Sequence, residues 1–243
     1  MKRIGIILAM QEEFEEIQNI MKNCDEKRIK EISFITGKIE GQNCVIVQSG
    51  IGKVNSARIT QMMIDNFDIE YIMNLGSAGA LNPMLKIGDI VIGDELVQHD
   101  FDITAFGHAK GYITGVGDRV YSDKYLIEKF EKAIENLEDR NYEIKTGTIA
   151  SGDIFCTEIE MKNQIYANFK ADCVEMEGAA IAQVSYLNNI PFIVIRSISD
   201  TPNGNNAITF DQFVELASKR CARILKKVLK DITKEEKEKE KDI

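Results

Sequence analysis

Ile4-Gly5-Ile6-Ile7-Leu8-Ala9-Met10-Gln11-Glu12-Glu13 is a short apolar run that breaks off into acids. Ile4 to Leu8 reads as a buried strand. Glu12, Glu13, Glu15 and Glu16 then open a helix, where carboxylates suit the positive end of the dipole. The unit recurs. Apolar runs at Cys44 to Val47, Tyr71 to Asn74, Asp89 to Ile92, Ile144 to Ala150 and Phe192 to Ile195 alternate with amphipathic stretches. Those stretches are Glu12 to Met21, Val54 to Asn66, Asp123 to Asn136, Glu158 to Phe169, Met176 to Leu187 and Phe210 to Leu229. The alternation predicts a three-layer α/β fold, a mixed and mostly parallel central sheet flanked by helices. Thr209 with Gln212 forms a capping box for the last helix, whose Phe210, Phe213, Ala217, Cys221, Ile224 and Val228 recur at helical spacing.

A chain of 243 residues with 44% hydrophobic residues can bury a sizeable core as one domain, taken here as residues 1–230. Residues 231–243 follow as a charged tail, in which Lys234 to Asp242 has no apolar residue; it is either a solvated helix extension or disordered. Thirty basic against 39 acidic residues leave a net charge of −9 with no basic stripe, which argues against a nucleic-acid partner. Five scattered cysteines without a C-x-x-C pair fit neither a disulfide framework nor a zinc site, so a reducing, cytoplasmic setting is expected. Lys2-Arg3 before an apolar run mimics a secretory start, but Gln11, Glu12 and Glu13 occupy the place of a cleavage site. No run approaches the roughly 18 apolar residues of a membrane span, so no membrane partner is expected.

Gly50-Ile51-Gly52-Lys53 lacks the earlier glycine and the following Ser/Thr of a nucleotide-binding loop, so a nucleoside triphosphate site is rejected. Gly76-Ser77-Ala78-Gly79 suits either close backbone approach to a ligand or a tight strand-to-helix turn. Taken singly, the acids have ordinary explanations: a solvated helix start for Glu13, Glu175 and Glu177, and a turn for Asp200 before Thr201-Pro202-Asn203-Gly204. Met10, Met176 and Phe210 read singly as core. His99 and His108 have no Cys support for a metal site. Residues Phe101 to Ser122 carry four glycines without periodicity and suggest a long binding loop or a surface excursion. Convergence changes the balance, because segments that follow parallel strands share one sheet edge, where ligands bind. Glu13, Ile51, Ser77, Ser151-Gly152-Asp153 and Asp200 all follow such runs.

In sum these residues resemble the 5′-methylthioadenosine/S-adenosylhomocysteine nucleosidases of the nucleoside phosphorylase fold, over Met1 to Leu229. The resemblance rests on seven segments in order: Ile4-Gly5-Ile6-Ile7-x-Ala9-Met10-x-Glu12-Glu13, Ser49-Gly50-Ile51-Gly52-Lys53-Val54, Gly76-Ser77-Ala78-Gly79, His99-Asp100-x-Asp102-x-Thr104-Ala105-Phe106-Gly107, Ser151-Gly152-Asp153, Val174-Glu175-Met176-Glu177 and Ile198-Ser199-Asp200.

What the resemblance implies is hydrolysis of the N-glycosidic bond of an adenine nucleoside with a 5′-thioether, without cofactor or metal. Asp200 would be the acid that protonates adenine N7, and Glu13 the base that orients water. Glu177 would hold the ribose hydroxyls with Met176 and Glu175 beside it. Phe155 would stack on adenine, Ser199 would support Asp200, and Ile51, Met10 and Phe210 would line the sugar and 5′ side. Ser77 belongs to the same substrate-binding set. The residues matching Ile103 and Phe106 reach a neighbouring subunit's pocket, so a homodimer with shared sites is expected. Cys156 departs from the family, standing where a larger aliphatic residue is expected beside adenine. An acid at Asp200 must carry a proton near neutral pH, which calls for burial or neighbouring carboxylates. Two rivals remain: a phosphorolytic relative, disfavoured by carboxylates where phosphate would sit, and a nucleoside sensor without turnover.

Overall fold

The computed structural model describes residues 2–138, 141–202 and 210–241, without the side chains of 210–212, 240 and 241. The side chain of Phe210 and the capping pair Thr209 and Gln212 therefore lie outside the described part. Strand β1 (Arg3–Leu8) runs parallel between β4 (Gln42–Gln48) and β5 (Ile69–Ala80), and β10 (Phe192–Asp200) is parallel to β5 on its other side. Leu8, Gln48, Ala80 and Asp200 thus end at one edge.

From β10 the sheet continues antiparallel to β6 (Ile90–Gln98), then parallel to β8 (Ile144–Ser151) and β9 (Cys173–Glu175). Strand β9 returns antiparallel to β5, so β5, β10, β6, β8 and β9 close into a ring with no free edge among them. On the open side, β3 (Ile32–Ile39) and β2 (Lys22–Ile29) add antiparallel beyond β4, and the short β7 (Val120–Tyr121) pairs with β6. The mixed sheet flanked by helices has the expected three-layer architecture.

Strand β1 explains why its run is continuously apolar. Ile4, Ile6 and Leu8 face a core shared with α1 (Gln11–Asn19), α3 (Lys124–Glu135) and α6 (Phe210–Lys241). Ile7 faces the opposite core, with α2 (Lys53–Asn66) and α5 (Gly178–Leu187). Gly5 sits so close to Met63 of α2 that a Cβ there would collide with its sulfur. A third cluster lies under α4 (Ile159–Phe169), around Val97, Ile165 and Phe169.

Two elements differ from the sequence reading. The hairpin β2–β3 gave no apolar alternation because Lys22–Arg28 of β2 are exposed throughout; the charges protect an edge strand from pairing with another chain. Gly76-Ser77-Ala78-Gly79 makes no turn: β5 runs straight through it to Ala80. Residues Phe101 to Ser122 are a long connection holding a 3₁₀ turn at Thr104–Phe106, an Ile113–Gly117 bridge and β7. Among the described residues no helix is long and apolar enough to cross a membrane.

Helix α6 remains packed as far as Ile232, which is buried. Beyond it the ties are polar: Lys129 makes a half-buried ion pair with Glu235, and Gln42 donates to Glu236 at the surface. Such contacts contribute under about 1 kcal/mol. Deleting residues 234–243 should therefore move the melting temperature by less than about 4 °C in calorimetry; a larger drop would show the extension to be part of the folded core.

Candidate active site

At the shared strand edge lies a cavity of about 730 Å³. The β1–α1 junction contributes Met10 and Glu13, the loop before α2 contributes Ile51, and β5 contributes Ser77. The β9–α5 corner contributes Glu175, Met176 and Glu177, the loop before α4 contributes Phe155 and Cys156, and the end of β10 contributes Ser199 and Asp200. Eleven of the residues singled out from sequence therefore face one space.

At one end, three carboxylates surround a guanidinium. Glu13 is buried, its Oε2 accepting from the Ala9 and Met10 amides at 3.1 Å each and its Oε1 from the Ser77 amide at 3.3 Å. Glu175 accepts from the Glu177 and Gly178 amides at the start of α5, at 3.1 and 2.8 Å, and from Ser151 Oγ and Arg196 Nη2. Every oxygen of Glu175 is thus engaged by protein. Glu177 accepts from the Gly52 amide at 2.9 Å, and its second oxygen has no protein donor among the described residues. Arg196, only 2% exposed, also donates to the Asn74 side chain and to the Ile195 carbonyl.

Burial sets the protonation of this cluster. Loss of water pushes Glu177 up to about 7; Glu175 adds to the rise, and Arg196 and the Gly52 amide oppose it. Burial raises Glu13 as well, against Arg196 and the three amides that hold the carboxylate. A carboxylate raised toward neutrality and held in place is suited to take a proton from water.

At the other end, Asp200 Oδ1 accepts from Ser199 Oγ at 2.9 Å, and Oδ2 is ion-paired with Lys162 of α4. The expected surroundings of Asp200 were apolar or acidic; a buried ammonium stands there instead. Glycines make room for both acids. A Cβ on Gly76 would lie 2.7 Å from Glu13 Oε1, and one on Gly79 would lie 2.9 Å from Asp200 Oδ1. These glycines stand three residues apart on one strand, a spacing of about 10 Å along the backbone.

Ile103 and Phe106 do not line this cavity; Phe106 stands in the 3₁₀ turn, 81% exposed. His99 is buried against Gly152, where burial holds its imidazole below the usual histidine range, and it takes no part in the cavity. Sequence reasoning missed Arg196 and Lys162. Both left a trace: Arg196 interrupts an otherwise apolar buried strand, and Lys162 falls on the stripe of Ile165 and Phe169 that α4 buries.

A family profile described as the phosphorylase superfamily matches residues 3–230. The 5′-methylthioadenosine/S-adenosylhomocysteine nucleosidase of Geobacillus kaustophilus is 38% identical over 228 residues, covering 93% of this chain and 96% of that one. Its counterpart in Bacillus subtilis is 36% identical over 231 residues, covering 95% and 99%. The crystal structure of the Neisseria meningitidis nucleosidase in complex with methylthio-immucillin-A superposes with a TM-score of 0.89 at 37% identity, covering 95% of this chain and all of that one.

The raised carboxylates give stability a pH dependence. Glu177 holds its proton more tightly in the fold than in the unfolded chain, so the stability it lends is complete below about pH 4.5 and is lost as pH climbs through about 7; Glu13, also raised, acts in the same direction. For Glu177 alone the loss is on the order of 3 kcal/mol at most. Urea unfolding between pH 5 and 8 should show this decline, and Glu177→Gln should flatten it; an equally steep decline in the variant would remove Glu177 as its source.

Proposed function

Because this chain belongs to the phosphorylase superfamily, among its 5′-methylthioadenosine/S-adenosylhomocysteine nucleosidases, we infer that it hydrolyses the N-glycosidic bond of 5′-methylthioadenosine and S-adenosylhomocysteine and releases adenine. The observation that carries the mechanism is the pair of carboxylates, Glu13 and Asp200, at opposite ends of one cavity with a glycine of β5 behind each.

Adenine leaves poorly as an anion, so a proton delivered to N7 lowers the barrier. Asp200 delivers it, with Ser199 holding the carboxyl, and the nearby Lys162 ammonium stabilises the carboxylate that remains. Water attacks C1′ from the opposite end, and Glu13, fixed by three amides, takes its proton. The ribosyl cation that develops between them is stabilised by the surrounding carboxylates. Glu177, with one oxygen free of protein donors, holds the ribose hydroxyls, beside Met176 and the fully engaged Glu175. Phe155 stacks on adenine and the backbone at Cys156 reaches its edge. Met10, Ile51 and Ser77 line the sugar and the 5′ side.

Ile103 and Phe106 complete a neighbouring subunit's pocket, which makes the working unit a homodimer; an aromatic ring 81% exposed suits such a contact. The free cysteines, four of them wholly or partly buried, suit a reducing, cytoplasmic setting.

Asp200→Asn, folded as the parent by circular dichroism, should lose about a hundredfold or more of its adenine release in an ultraviolet assay, and Glu13→Gln a similar amount. Parental rates in either would refute its role. Sedimentation should find a dimer, and Phe106→Ala should weaken activity and association together; active monomers independent of concentration would defeat the shared-site reading.

A further inference from the structure

Lys162 brings more hydrogen-bond donors to the cavity than its pairing with Asp200 in the hydrolysis of an adenosine uses. It sits in the first turn of α4, its amide bonded to the Glu158 carbonyl that closes that turn, and only 3% of its surface is exposed. An ammonium in that position opposes the helix dipole and gives up its water, two costs that call for acceptors. It has three N–H bonds to place and no accepting atom. Among the described residues one side chain, Asp200, accepts from it, and the ammonium lines the cavity beside Cys156 and Thr157. The other titratable groups near this corner are the Cys156 thiol and Glu158. Among the described residues, donors are in surplus at this corner of the cavity.

An adenine ring offers this corner one acceptor, N7, and next to it an amino group that is itself a donor. A 6-oxopurine offers N7 and O6, two adjacent acceptors. The difference grows as the bond breaks, because the electron pair of the C1′–N9 bond departs with the base and spreads onto O6, where a cation stabilises it.

We propose that Lys162 makes this site accept 6-oxopurine nucleosides, the deaminated counterparts of the 5′-thioether adenosines, by donating to O6 while Asp200 serves N7. The proposal rests on the hydrolase reading above. The reaction balances as before: C1′–N9 breaks, the oxygen of water bonds to C1′, its proton goes to Glu13, and the Asp200 proton goes to N7. Hypoxanthine and a 5′-substituted ribose are the products.

The test compares 5′-methylthioinosine with 5′-methylthioadenosine in the full chain, each followed by ultraviolet absorbance. The unaltered protein should turn over the inosine with a kcat/KM within about a hundredfold of that for the adenosine, and Lys162→Met should lower the ratio of the two by about tenfold or more. Lys162→Gln, which keeps a donor, should fall between them. A ratio that moves by less than about tenfold in Lys162→Met, or an unaltered protein more than about a hundredfold slower on the inosine, overturns the proposal. The ratio is independent of how much variant folds. Adenine release from 5′-methylthioadenosine by the unaltered protein reports on the hydrolase reading separately, so the two fail distinguishably.

Discussion

The guanidinium of Arg196 is the constraint around which the site is arranged. A buried cation needs anions, and Arg196 has Glu175 in contact and Glu13 and Glu177 close enough to act on its charge. The dependence runs both ways. Without the cation, three carboxylates would share a volume nearly free of water, an arrangement that proteins avoid by protonating or expelling the acids. With it, the cluster keeps an excess of negative charge, which adds to the rise to about 7 that burial imposes on Glu177. Arg196 thus lets acids be buried together while leaving them basic enough to do chemistry.

The backbone does the rest of the balancing. Glu175 takes the amides at the start of α5, where the helix dipole favours an anion, and Glu13 takes the amides of the β1–α1 junction and of Ser77. These bonds engage both oxygens of Glu175, while Glu13 Oε1 has a single amide donor and keeps a lone pair for water. Glu177 keeps a whole oxygen for a ligand, so three acids close in sequence or space acquire separate tasks through their partners. Placement at strand ends explains why one fold brings them together: β1, β5 and β10 are parallel neighbours, and their last residues reach one edge.

How much of this was legible in the sequence follows from which interactions are local. The buried strands announced themselves, because β1 packs on both faces and must be apolar throughout. The acidic helix start at Glu12 and Glu13 was visible too, but nothing local separates Glu13 from Glu12; the distinction is made by Ser77 and Arg196, which lie 64 and 183 positions away (77 − 13 and 196 − 13). Strand β2 was hidden because an edge strand with charged residues on both faces has no apolar period. Gly76 and Gly79 were read as turn or ligand-approach residues; there is no turn, both line the cavity, and Glu13 and Asp200 occupy the space of their absent side chains. Lys162 was passed over because a lysine on a helix reads as solvated until tertiary contacts show it buried.

The same charge arithmetic bears on the choice between water and phosphate as the acceptor. A phosphate entering at the Glu13 end would meet Glu13 and Glu177, and the cation there is already spent. Arg196 holds Glu175 and the Asn74 side chain, and Asn74 in turn donates to the Ile7 carbonyl, so an incoming anion would compete with Glu175 for a guanidinium already paired. Lys162 is tied to Asp200 at the other end. A dianion would have to displace a buried ion pair while approaching raised carboxylates, each unfavourable at low effective dielectric. Water carries no charge, needs only an acceptor for its proton, and finds one in a carboxylate that burial has made more basic.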